Sequence, residues 1–145
     1  MLSKDFKEFI QLLNENSVRY LIVGGYAVAF HGHPRYTKDL DVWIESSLQN
    51  AEKIMSALHK FGFGSLGLKS EDFLEADQII QLGYPPDRID ILTTLTGLNF
   101  KDCYRTRVGV EIQGTHINFI GIENLRKNKS VTGRPQDLAD VENLK

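Results

Sequence analysis

The chain has 145 residues, 41% of them hydrophobic and 25% charged, which is the size and balance of one globular domain able to bury a core. Its formal net charge of -2 excludes an overall basic field of the kind that draws a protein onto nucleic acid, while leaving a local patch open. No apolar run approaches the ~20 residues of a membrane span, and the single Cys103 forbids an internal disulfide, so the expected setting is the reducing cytoplasm.

Ser3 has the character of a helix cap, and Phe6, Phe9, Ile10 and Leu13 recur at helical spacing, so an amphipathic helix is expected over 4–15. This N-terminus is amphipathic and does not resemble a signal-peptide core. Tyr20–Val23 reads as a short apolar strand broken by Gly24-Gly25, with a short helix over Tyr26–His31 and a loop at His33-Pro34. Asp39–Glu45 alternates: Leu40, Val42 and Ile44 point one way, and Asp39, Asp41, Trp43 and Glu45 the other. Ser47 is placed to cap a helix from about Gln49 to Phe61. Gln78–Leu82 and Arg88–Leu92 read as strands joined by the turn Gly83-Tyr84-Pro85-Pro86-Asp87. A helical turn over Phe100–Tyr104 precedes a hairpin of Arg107–Ile112 and His116–Ile120 across Gln113-Gly114-Thr115. Ile122–Lys127 and Gln136–Leu144 read as helices separated by Thr132-Gly133-Arg134-Pro135. The expected architecture is one α/β domain over 1–145, a mixed sheet flanked by helices.

Asp39 and Asp41 raise the chemical question. Residues i and i+2 of a strand share a face, about 7 Å apart at the backbone, so the two carboxylates converge on one point. They repel there and resist burial unless something positive compensates. The candidates are Arg35, Lys38, Arg88 or a divalent cation, which for hard carboxylate ligands means Mg²⁺ or Mn²⁺. A half-exposed strand with solvated acids and a local ion pair is the plain alternative. Two further features favour a site. Gly24-Gly25 lies between a strand and a helix, where glycines let a phosphate approach free backbone N–H groups. Asp90 lies between the apolar Ile89 and Ile91, so it faces the opposite side of its own strand and completes a three-carboxylate site if that strand neighbours the first.

Val23-Gly24-Gly25, thirteen residues, Asp39-Leu40-Asp41-Val42 and a later apolar-Asp90-apolar strand together resemble the nucleotidyltransferase superfamily related to DNA polymerase beta. The extended pattern adds His31-Gly32, Arg35-Tyr36-Thr37 and the tail with Lys129, Gly133-Arg134 and Asp137-Leu138-Ala139-Asp140. It is similar to small bacterial nucleotidyltransferases of toxin–antitoxin and abortive-infection systems. The resemblance implies the nucleotidyltransferase fold and transfer of a nucleoside monophosphate, from ATP or another nucleoside triphosphate, to a hydroxyl acceptor with release of pyrophosphate. It implies two Mg²⁺ or Mn²⁺ ions held by catalytic Asp39, Asp41 and Asp90, with Gly24, Gly25, Arg35, Thr37, Lys129 and Arg134 on the nucleotide side. The acceptor is left open among a tRNA end, a protein and a small molecule, with a cognate toxin or antitoxin as a further partner. Many members carry Ser after the first glycine; Gly25 offers only its backbone N–H.

Other signals are weaker. Gly62-Phe63-Gly64-Ser65-Leu66-Gly67 matches a dinucleotide-loop pattern, but a helix precedes it and none clearly follows, so a plain loop is expected. His31 and His33 are expected as hydrogen-bonding residues, Cys103 as a small apolar residue, and Asp137 and Asp140 as helix-end charges. Two rival functions stand beside the leading one. Nucleotide-sugar glycosyltransferases also use Asp-x-Asp, but their folds need more chain and lack the preceding Gly-Gly. An antitoxin-like binding module of the same fold would be catalytically inert.

Overall fold

A computed structural model describes residues 2–32, 37–64, 66–84 and 87–144. In chain order these form α1 (Lys4–Glu15), β1 (Tyr20–Val23), α2 (Gly24–Phe30), β2 (Leu40–Ile44), α3 (Leu48–Phe61), a 3₁₀ turn (Ser70–Phe73), β3 (Ile79–Leu82), β4 (Ile89–Leu92), α4 (Phe100–Arg105), β5 (Val108–Ile112), β6 (Thr115–Phe119), α5 (Ile122–Thr132) and α6 (Pro135–Asn143). The six strands make one mixed sheet in the order β3-β4-β2-β1-β6-β5.

Local chemistry explains the boundaries. The hydroxyls of Ser3 and Ser47 accept from the amides of Phe6 and Asn50 and cap α1 and α3. Gly62 ends α3 in the left-handed region at φ 98°, which accounts for the first glycine of the dinucleotide-like pattern. The hairpin between β5 and β6 turns on Gln113 and Gly114, both at positive φ, as a tight two-residue turn requires. The α1 stripe predicted at helical spacing is buried as Phe6, Phe9, Ile10 and Leu13, and α1 packs on α3. Both faces of β1 are buried, as expected of a strand in the middle of a covered sheet.

Three expectations need correction. Gly24 and Gly25 are not a turn between strand and helix. They are the first residues of α2, which follows β1 directly with Val23 as its cap residue. The side of β2 that carries Asp41 is not acidic along its length. Trp43 is 2% exposed and packs edge-on against Phe100 of α4, with ring centroids 5.1 Å apart, so the sheet is covered from there on. Asp137 and Asp140 are not surface charges; they are 1% and 0% exposed. Arg35, with His33, Pro34 and Tyr36, and the Pro85-Pro86 pair lie outside the described residues.

Candidate functional site

β2 and β4 run parallel in a register that sets Leu40 beside Ile89 and Asp41 beside Asp90. Asp90 therefore joins the other two aspartates, as its alternation predicted. One position earlier, Asp39 meets Arg88, and the Leu40 amide donates to the Arg88 carbonyl at 3.0 Å. The two strands thus present a square of four side chains on one face. One cross-strand pair is oppositely charged and the other is like-charged. The fifth member is Gly24, since β1 pairs with β2 so that Val23 lies beside Asp41.

Arg88 is the compensating charge. Its Nε donates to Asp90 Oδ1 at 2.8 Å and its Nη2 to Asp90 Oδ2 at 3.0 Å, a bidentate fork. The same Nη2 donates to Asp39 Oδ2 at 2.8 Å. Asp39 Oδ1 is buried without a hydrogen-bond partner among the described residues. Asp41 lacks such a fork: burial first, then the charges of Asp90 and Asp39, push its carboxyl from 3.8 up to about 6, against the weaker pull of Lys129 and Arg88. Gly24 makes this arrangement possible. Its φ is +67°, and a Cβ there would overlap the Asp41 carboxylate, so only glycine permits the close approach.

A groove of about 430 Å³ opens over this face. Gly24, Asp41 and Asp90 line it from the sheet, together with Gln81, which lies beside Asp90 on β3. Lys129, Thr132 and Arg134 line it from the junction of α5 and α6. Gly133 closes α5 at φ 67° and Pro135 opens α6, so the chain reverses within two residues and brings these groups together. Lys129 is inside the helix, beyond the predicted boundary, and it is buried. Its Nζ is 3.2 Å from Asp137 Oδ1 and 3.4 Å from Asp140 Oδ2. Thr132 Oγ1 donates to Asp137 Oδ2 at 2.7 Å and Arg134 Nε to the same oxygen at 2.6 Å. Burial alone would raise the Asp137 carboxyl; the hydrogen bonds from Arg134, Thr132 and Lys129 outweigh it and hold that group well below the usual carboxylate range. Arg134 is otherwise 74% exposed along its side chain. Thr37 is half-buried just before β2 and does not line the groove.

The carboxylates suit a hard divalent cation by chemistry, and one Asp39 oxygen is left without a hydrogen-bond partner among the described residues. The conformation does not present them as a closed ligand set. Among the described residues no three His, Cys, Asp or Glu side chains converge to hold a metal ion, and Arg88 bridges two of the three carboxylates. His31 has a structural partner, with Nε2 2.7 Å from the Ile120 carbonyl. Cys103 is buried, and burial raises its thiol. No described helix is long and apolar enough to cross a membrane. The sequence reading did not foresee the buried cluster of Lys129, Asp137 and Asp140. The i, i+3 spacing of its two acids on α6, one turn after a lysine-bearing helix, was the available signal.

Two solved structures share this fold. An antigenic nucleotidyltransferase-like protein from Paracoccidioides brasiliensis superposes with a TM-score of 0.57 at 17% identity, covering 99% of this chain and 77% of that one. The lincosamide antibiotic adenylyltransferase LnuA, in a lincomycin-bound structure, superposes with a TM-score of 0.54 at 16% identity, covering 99% of this chain and 96% of that one. No curated protein sequence matches the chain. The model of one family, described as a nucleotidyltransferase of unknown function (DUF6036), matches residues 2–145, and the chain belongs to that family.

Proposed function

We propose that the groove transfers a nucleoside monophosphate from a nucleoside triphosphate to a hydroxyl acceptor. The acceptor oxygen forms a bond to the α-phosphorus as the bond to the departing pyrophosphate breaks. The observation that carries this reading is the in-register pairing of Asp41 with Asp90 beside Gly24, under a wall that supplies Lys129 and Arg134. An acidic floor facing the exposed Arg134 guanidinium, with Lys129 set deeper between two aspartates, suits a metal–triphosphate complex.

Asp39, Asp41 and Asp90 would hold the Mg²⁺ or Mn²⁺ ions. When bound, such ions would lower the pKa of the attacking hydroxyl and neutralise charge developing on phosphorus. The chain's own residues supply the rest. Gly24 keeps the backbone close to Asp41, and the start of α2, including the Gly25 amide, faces the outer phosphates. Arg134 is anchored through Nε and Nη2 on Asp137 and largely exposed, so its remaining N–H groups are held ready for phosphate oxygens. Lys129 contributes charge from within the wall without leaving its two aspartates. Arg35 and Thr37 precede the first aspartate in the chain and belong to the nucleotide side of this proposal.

LnuA, a structural neighbour, is an adenylyltransferase seen with lincomycin, which makes ATP the first triphosphate to try and hydroxylated small molecules the first acceptors. A tRNA end and a protein hydroxyl follow, the latter including a cognate toxin or antitoxin, and the expected compartment is the cytoplasm. The deciding experiment supplies each α-labelled triphosphate with Mg²⁺ or Mn²⁺ and follows where the label goes. Label on an acceptor with matching pyrophosphate release supports transfer. Triphosphate binding with no transfer to any acceptor class favours the inert binding module. Preference for a nucleotide sugar would move the protein to the glycosyltransferases.

A further inference from the structure

Arg88 has a position that the proposed chemistry does not use. Its guanidinium lies between Asp39 and Asp90, with three N–H···O contacts of 2.8, 2.8 and 3.0 Å. These engage both Asp90 oxygens and one Asp39 oxygen. The second Asp39 oxygen is buried and has no hydrogen-bond partner among the described residues. Arg88 itself is 26% exposed along its side chain, so it has a route out of the cluster. The cation it supplies is singly charged, whereas three carboxylates face it.

We propose that Arg88 is a built-in counter-cation that occupies the carboxylates in the metal-free protein, so that a divalent ion binds by displacing it. The inference rests on the reading of Asp39, Asp41 and Asp90 as cation ligands. An oxygen that accepts from a guanidinium at 2.8 Å must turn or shed that bond to ligate Mg²⁺ at its ~2.1 Å distance. The ion repays the exchange with twice the charge and with a partner for the orphaned Asp39 oxygen. Arg88 thus keeps the square of side chains assembled when no ion is present, at the expense of cation affinity. The contrary reading makes Arg88 an orienting residue that aims Asp90 at the ion, and it predicts the opposite effect of removing the guanidinium.

The test is a calorimetric titration of Mn²⁺, without nucleotide, into the wild-type chain, Arg88→Gln and Arg88→Lys, each also melted with and without Mn²⁺. Asp41→Asn serves as the control that locates the ion. Displacement predicts at least tenfold tighter Mn²⁺ binding in Arg88→Gln, with an intermediate gain in Arg88→Lys, which keeps the charge but loses the fork. It also predicts a lower metal-free melting temperature in Arg88→Gln and a larger rise on adding Mn²⁺. If Arg88→Gln proves too unstable to titrate, Arg88→Lys carries the comparison. Unchanged or weaker Mn²⁺ binding in the variants, with wild type binding normally, overturns the displacement role and leaves the metal site standing. Failure of wild type and variants alike to bind Mn²⁺ overturns both.

Discussion

Asp41→Asn should make the metal-free protein more stable at neutral pH while removing a ligand. Burial, then Asp90 and Asp39, raise the Asp41 carboxyl from 3.8 to about 6. A raised folded-state value means that, between those two limits, the native protein holds a proton that the unfolded chain has released. Stability therefore rises as pH falls through about 6 and levels off near the unfolded value. Above pH 6 the native state carries the full cost of a buried, repelled carboxylate. Two units correspond to an upper bound of about 3 kcal/mol. At roughly 3 °C per kcal/mol for a chain of this size, Asn should raise the melting temperature by up to about 9 °C, less whatever the unpaired amide loses. The assay is thermal melting in chelator at about pH 7.5, 6 and 4.5. The gain should be largest at the highest pH and fall to about a third of that at pH 4.5, and saturating Mn²⁺ should reverse the ranking. An equal or lower melting temperature for Asp41→Asn at pH 7.5 in chelator would refute the reasoning.

Lys129→Met removes the buried ammonium that lies 3.2 Å from Asp137 and 3.4 Å from Asp140. A buried pair broken this way costs roughly 3–5 kcal/mol, measurable by urea denaturation near pH 7, and the deficit should shrink as pH falls below the ordinary carboxylate range, where wild type loses the stability that its depressed Asp137 carboxyl contributes. Gly24→Ala forces a side chain into the left-handed region and against the Asp41 carboxylate. It should cost about 1–2 kcal/mol of stability and weaken triphosphate binding at least tenfold by calorimetry. Asp90→Ala should leave the triphosphate dissociation constant within a few-fold of wild type while lowering turnover a hundredfold or more, about 3 kcal/mol.

The fold was legible where local pattern and tertiary context agree. The alternation around Leu40, Val42 and Ile44 and the apolar flanks of Asp90 were enough to place Asp41 and Asp90 on strands, and the parallel register then brought them together. What escaped were features decided by distant packing. Trp43 shares a face with Asp41 by period alone, yet it is buried because Phe100, far along the chain, covers it. Asp137 and Asp140 read as helix-end charges on a salt-bridging face, because nothing local announces that Lys129, eight and eleven residues earlier, will meet them in the interior. Gly24 read as a strand breaker, whereas its small size serves the Asp41 carboxylate seventeen residues later. Arg88 was one of four candidate counter-charges, and only the parallel pairing of β2 with β4 singles it out.

The central claim is that the square of Asp39, Asp41, Asp90 and Arg88 beside Gly24 is a nucleotidyl-transfer centre. Pyrophosphate release from α-labelled triphosphate, measured on wild type and Asp41→Asn from matched preparations with equal circular dichroism, tests it most directly. The expected result is cation-dependent release by wild type and a loss of a hundredfold or more in the variant, despite its greater metal-free stability. Release by Asp41→Asn within about tenfold of wild type, or release that does not depend on the cation, would contradict it.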